Sequence, residues 1–171
     1  MLNQIAGLHT KRKQYDIALE LYQESLTFAR ELANPDLISI VISGMANLHA
    51  HQEKYAKAIQ EYRQAVDIMK KLDKKRHLAL ALFWLGNTYR SVGNSEAALK
   101  SYYEALEIAE ATHDKEGTGT LTGHIGIVYF ERKDFARATY YLSCASFTLG
   151  EVNSPNKQLI DEYIKRLPKL A

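Results

Sequence analysis

KQYDIALELYQESL at 13–26, EKYAKAIQEYRQAV at 53–66, GNSEAALKSYYEAL at 93–106 and KDFARATYYLSCAS at 133–146 are four readings of one pattern. Each begins 40 residues after the last. Ala18, Ala58, Ala98 and Ala138 coincide, as do Tyr22, Tyr62, Tyr102 and Leu142, and then Ser25, Ala65, Ala105 and Ala145. The period continues upstream of these stretches. Ile5-Ala6, Met45-Ala46, Leu85-Gly86 and Ile125-Gly126 align, each followed three residues later by His9, His49, Tyr89 or Tyr129. Matched columns at a fixed period of this length are the signature of a repeat architecture.

The residue types explain the columns. Each copy holds two stretches with apolar residues three and four apart, the spacing of an amphipathic helix. Small residues at a helix crossing let two backbones approach, and the large aromatic beside them fills the remaining space. Each copy therefore reads as a helix–turn–helix hairpin, and hairpins that cannot bury both faces alone must stack. The breaks agree. Asn34-Pro35-Asp36 supplies an N-cap, a first-turn Pro and an acidic residue in the first turn. Gly93-Asn94-Ser95 ends one helix and caps the next, and His113-Asp114 and Ser154-Pro155 open others. Helices are predicted near 2–12, 15–32, 36–52, 55–72, 76–91, 95–112, 116–131, 135–149 and 156–166. The hairpins span about 1–34, 35–74, 75–114 and 115–150, followed over 151–171 by a capping helix and tail. In that helix Leu159, Ile160, Tyr163, Ile164 and Leu167 are predicted to face in.

Composition bounds the function. Of 171 residues, 46% are hydrophobic and 25% charged, an ordinary globular balance. Lys plus Arg is 22 against 20 for Asp plus Glu, which leaves a formal charge of +2 and argues against a nucleic-acid partner. The single Cys144 excludes an internal disulfide framework and a Cys-based zinc site. The N-terminal MLNQIAGLHTKRK lacks the order of a secretory signal, and the apolar run Leu78–Leu85 is too short to span a bilayer. A cytoplasmic protein without a membrane partner is the expectation.

The third copy, Trp84-Leu85-Gly86-Asn87-Thr88-Tyr89 through Ala98, Tyr102 and Ala105, resembles the tetratricopeptide repeat (TPR) pattern most closely. The resemblance covers residues 1 to about 150. It implies an all-α fold: a right-handed α-solenoid of antiparallel helix hairpins, four repeats plus a C-terminal capping helix. Three departures stand out. The period is 40 rather than the family's usual 34, the repeat-ending Pro survives only at Pro35 and Pro155, and the Tyr column is His at His9 and His49. The longer period resembles the arrays of kinesin light chain, spindle-orientation adaptors and bacterial peptide-pheromone receptors. The first helix of the first copy is shorter than its counterparts, so either the native chain starts in mid-repeat or this is a fragment of a longer protein, and the fragment is the favoured of the two readings.

The resemblance implies a protein-interaction module, an adaptor or scaffold that holds a peptide segment of a partner in a concave groove lined by the first helix of each hairpin. The positions it places there are Asn3, Ser43 and Phe83 in one column, Asn47, Asn87 and Ile127 in the next, and Lys11, His51, Arg90 and Ser91 beyond. An Asn amide is donor and acceptor together, so Asn47 and Asn87 are suited to clamp a peptide backbone whatever its sequence. Each hydrogen bond contributes about 0.5–1.5 kcal/mol, so specificity would rest on neighbours: Lys11, His51 and Arg90 for a carboxylate, Phe83 for an apolar side chain. The alternatives are a structural or self-associating piece of a larger assembly, a homo-oligomer through the exposed N-terminal repeat, or the peptide-sensing part of a bacterial regulator.

Other signals read as structure. His49 and His51 are two apart on a helix and point to different faces, and no Cys/His cluster has zinc-ligand spacing. No metal and no cofactor are expected. EGTGTLTGHIG, from Glu116 to Gly126, fails the dinucleotide spacing because Thr122 stands where the last Gly belongs. It reads as a weak, thinly packed helix or a bending point. Lys70, Lys71, Lys74, Lys75, Arg76 and His77 form a basic turn, and Glu104, Glu107 and Glu110 an acidic ridge. No nucleophile–base arrangement is present, and Cys144 reads as inert core. The chain is expected not to be an enzyme.

Overall fold

The computed structural model describes residues 2–168. Among them are nine helices and no strand: α1 (Leu2–Lys11), α2 (Tyr15–Glu31), α3 (Pro35–His51), α4 (Tyr55–Lys71), α5 (Lys75–Ser91), α6 (Ser95–Ala111), α7 (Lys115–Glu131), α8 (Phe135–Glu151) and α9 (Lys157–Lys165). The fold is an all-α helical repeat. No described helix is long and apolar enough to cross a membrane.

The 40-residue period is two half-periods of 20. Helices α2 to α8 all have 17 residues. A residue with positive φ follows each of the first eight helices: Lys13, Ala33, Glu53, Asp73, Gly93, His113, Lys133 and Asn153. This left-handed residue folds the chain back so that orphan carbonyls of the last turn find partners. After α2, for example, the Asn34 amide reaches the Ala29 carbonyl at 3.0 Å and the Ala33 amide that of Arg30 at 2.9 Å. N-caps complete several of the turns. The side-chain oxygens of Asn34, Asn94, Asp114 and Asp134 accept from the amides of Leu37, Ala97, Gly117 and Arg137 at 2.9–3.1 Å.

The helices gather into two compact units, Met1–Val92 and Gly93–Ala171. The boundary divides the third repeat of the sequence, leaving α5 in the first unit and α6 in the second. In the first unit each helix packs on the next, and α3 also touches α1 and α5. In the second unit α6, α7, α8 and α9 pack in order, with α9 also on α7. The Ala18, Ala58, Ala98 and Ala138 column is wholly buried, and so are Tyr62, Tyr102 and Leu142.

Three expectations are corrected. The Gly-rich α7 is not thinly packed: it runs unbroken and buries Gly119, Leu121, Gly123 and Ile125–Tyr129. Its glycines are sites of close approach. A Cβ at Gly126 would stand 2.8 Å from Leu142 Cγ and 3.0 Å from the Leu142 backbone nitrogen, and one at Gly119 would stand 2.8 Å from Leu149 Cγ. Cys144 is exposed on α8, not core. In α9, Ile160 is buried against Gly123 but Leu159 faces outward. Helix α9 is further tied to α8 by Ser146, whose hydroxyl donates to Asp161 at 2.5 Å, while Lys157 pairs with Asp161 within α9 itself. These two partners hold the Asp161 carboxyl below its ordinary pKa, Lys157 contributing most.

Candidate peptide-binding cleft

Within the first unit, the row Ile40, Ser43, Gly44 and Asn47 lies on one face of α3, at the i, i+3, i+4, i+7 spacing. It meets Asn3 of α1 and His77, Leu80 and Trp84 of α5 around a cleft of about 220 Å³. The buried side chains of Tyr22 and Met69 also reach its lining. Gly44 permits this. A Cβ there would stand 2.5 Å from Tyr22 Cε1 and 2.9 Å from Asn3 Oδ1, so only a glycine lets the ring and the amide lie against the α3 backbone.

The cleft offers two kinds of surface. Asn3, Ser43 and Asn47 bring amides and a hydroxyl. Asn3 Oδ1 is buried and meets no donor among the described residues, the state in which a polar atom costs about 1–3 kcal/mol. Ile40, Leu80 and Trp84 bring apolar surface, and Leu80 and Trp84 remain 55% and 38% exposed. The Trp84 ring is braced edge-on by Phe83 at 5.1 Å between centroids. Asn47 also faces inward. The buried Tyr62 phenol has its pKa raised above the ordinary value by desolvation, and the nearby Asn47 amide opposes that shift. The two do not close a well-formed hydrogen bond.

The positions expected from the sequence divide. Asn3, Ser43 and Asn47 come together in the cleft. Phe83 buttresses Trp84 instead of lining it, and Asn87, half-buried on α5, lies outside the cleft lining. Lys11, His51 and Ser91 sit eight residues, about 12 Å, beyond Asn3, Ser43 and Phe83 along their helices. His51 uses its carbonyl to accept from the Tyr15 hydroxyl at 3.2 Å, and Ser91 donates to the Asn87 carbonyl at 3.1 Å. Arg90 is half-buried in the last turn of α5. Ile127 is a correction: at 1% exposure it belongs to the core of the second unit, where α7 is packed on by α6, α8 and α9. A side chain with no exposed surface cannot touch a peptide.

The sequence reading missed Ile40, Gly44, His77, Leu80 and Trp84. It extended the Asn47 column by four residues toward the N-terminus and by three and four toward the C-terminus. The cleft extends it by three, four and seven toward the N-terminus, the direction in which helical side chains lean. The basic turn also resolves: Lys74 pairs with Asp36 at 2.8 Å, and His77 joins the cleft.

The His and Tyr column packs as structure. His49 is buried and its Nδ1 lies 2.6 Å from Glu61 Oε2. Tyr89 accepts from Arg63 Nε at 2.8 Å. In the second unit the Tyr103 hydroxyl sits 3.3 Å from that of Tyr129 and 2.9 Å from that of Tyr141. The described residues hold no group of three or more His, Cys, Asp or Glu that could bind a metal.

A sequence model of the tetratricopeptide repeat family matches residues 1–71 and 77–146. A search of curated proteins returns no match. Solved structures that share the fold include BtubC (BKLC) from P. vanneervenii, with a TM-score of 0.82 and 21% identity over 96% of this chain and 72% of that one. Aspartyl phosphate phosphatase F from Bacillus subtilis superposes with a TM-score of 0.85 and 14% identity, covering 97% of this chain and 47% of its own. A signal transduction ATPase with numerous domains from Pyrococcus horikoshii, which carries a tetratricopeptide repeat sensor, gives 0.78 and 16% over 96% of this chain and 24% of that one. At these identities the likeness is one of fold.

Proposed function

This chain belongs to the tetratricopeptide repeat family, and from that premise we propose that it is an adaptor that holds a peptide segment of a partner protein in the α1–α3–α5 cleft. The family is in general a non-enzymatic interaction module. The observation that carries the finer reading is the pairing of backbone-type hydrogen-bonding groups with apolar surface around one opening. Asn3 Oδ1, buried and unmet by any described residue, suits a peptide N–H. Ser43 and Asn47 suit further main-chain groups, and Leu80 and Trp84 suit one apolar side chain. Charged neighbours farther along the same helices, Lys11, His51 and Arg90, would extend the surface.

The test is selection of a random peptide library displayed on phage against the 171-residue chain, followed by fluorescence anisotropy on an enriched peptide. Trp84→Ala is expected to weaken binding at least about tenfold, the scale of a lost interface anchor, with the helical circular dichroism at the assay temperature unchanged. Failure to enrich any peptide, or an affinity indifferent to Trp84→Ala and Leu80→Asp, overturns the reading.

A further inference from the structure

The seat on which a second helix rests against the next hairpin is visible in both units. In the second, the Tyr103 hydroxyl of α6 bonds Tyr141 and Tyr129, and Tyr103 is near enough to Arg137 to act on its charge. In the first, Arg63 of α4 bonds Tyr89. Three periods back, the places of Tyr129, Arg137 and Tyr141 are held by His9, Ile17 and Leu21 on the first hairpin. Leu8 stands one and three periods before the buried Leu48 and Val128, and Ile5 two and three periods before the buried Leu85 and Ile125.

On that hairpin the seat is open and apolar. Leu8 is 58% exposed, Ile17 45% and Ile5 39%. Its margin is charged in two separate blocks. Lys11, Arg12 and Lys13 stand at the α1–α2 turn, and Glu20 and Glu24 lie farther along α2, all exposed. A face with apolar residues at its centre and opposite charges at its two ends is complementary to itself when turned about a two-fold axis. The basic turn of one copy then lies over the acidic stretch of the other.

We propose that the α1–α2 edge, centred on Leu8 and Ile17, is an isologous interface between two copies of this chain. It is separate from the peptide cleft and does not depend on it. The occupant is a second copy rather than an unrelated helix because both the apolar centre and the charges that answer its rim are already on this one face.

Sedimentation equilibrium of the 171-residue chain over a range of concentrations tests this. The mass is expected to rise from 19.4 kDa toward twice that value. Leu8→Glu and Ile17→Lys, at exposed positions, are expected to weaken association at least about tenfold, the scale of a lost interface anchor, with unchanged helical circular dichroism. A Glu20→Lys/Glu24→Lys chain and a Lys11→Glu/Arg12→Glu/Lys13→Glu chain are expected to associate poorly alone and to recover association when mixed, which an unspecific sticky patch would not do. A strict monomer at every concentration overturns the proposal and leaves the seat to a helix of another protein. So does a dimer indifferent to Leu8→Glu, or a mixture that fails to recover.

Discussion

Helices α3 and α7 hold the same place in the repeat and put glycine to opposite uses. In α3 the single Gly44 lets the Tyr22 ring and the Asn3 amide lie against its backbone, and a cleft opens beside them. In α7 three glycines receive Leu149, Ile160 and Leu142, and the space they create is filled by α8 and α9. The small residue is the same; what reaches into it differs. An aromatic ring and a polar amide give a lined opening, whereas branched aliphatic chains give solid packing. Period and column thus decide where helices cross. The side chain opposite each small residue decides whether that crossing can also bind.

The strongest test of the comparison compares substitutions at the two kinds of glycine. Gly126→Val would bring its Cβ to 2.8 Å from Leu142 Cγ and 3.0 Å from the Leu142 backbone nitrogen, and the backbone cannot yield. Overpacking of this kind costs about 1–3 kcal/mol, and the second bulky methyl of valine argues for about 3 kcal/mol, read as a fall in the urea midpoint. At Gly44 the obstacles are side chains, Tyr22 and Asn3. Gly44→Ala recovers up to about 1 kcal/mol of helix propensity while displacing the ring, so its net cost is expected below about 1 kcal/mol. Equal losses at the two sites would remove the distinction between filled and lined space.

The two units also differ in how they satisfy the polar column beside the crossings. The first uses charge: His49 against Glu61, Arg63 against Tyr89. The second uses three phenols, Tyr103, Tyr129 and Tyr141, with the Arg137 guanidinium 5.2 Å from the Tyr129 ring centroid. Burial and the neighbouring hydroxyls push the Tyr103 phenol well above its ordinary pKa of 10.0, so it stays neutral. Glu61→Leu leaves His49 Nδ1 buried without its carboxylate and is expected to cost about 2 kcal/mol. Tyr103→Phe removes the hydroxyl that Tyr129 and Tyr141 share, a loss between neutral groups, for about 1 kcal/mol. Thermal denaturation of both variants ranks them, and the reverse order would show that the phenol cluster is the tighter of the two.

Element boundaries were legible because they are written in local chemistry. Every predicted helix lies within two residues of an observed one, since the caps at Asn34, Asn94 and Asp114 and the small-residue columns are short-range signals. The cleft was legible in part. Asn3, Ser43 and Asn47 are polar residues on the first-helix face and could be chosen by column. Leu80 and Trp84 could not, because apolar residues on that face look like core until their exposure is known. Ile127 failed for the converse reason: its column mates are Asn47 and Asn87, but the packing of α7 buries it. The glycines of α7 and the exposed Cys144 misled because a single residue type does not say what stands opposite it.

The smallest predicted effect concerns the turns. Among the described residues eight have positive φ, and one of them, Gly93 at the boundary of the two units, is a glycine. The others hold a Cβ in a region that costs an L-residue roughly 1–2 kcal/mol. Ala33, at φ 46°, has no side-chain polar group to compensate, unlike Asn153 at φ 51°. Ala33→Gly relieves the strain but gives the unfolded chain more freedom, an offset of about 0.4–1 kcal/mol. The net gain is expected near 0.5 kcal/mol, a small rise in the thermal midpoint. Gly93→Ala runs the exchange backwards. Nothing stands within 4 Å of its added Cβ, so its loss reports backbone conformation alone. If Ala33→Gly gains about what Gly93→Ala loses, the turns of the two units are equivalent. If Gly93→Ala costs clearly more, the turn between the units is held to its conformation more strictly than the turns inside them.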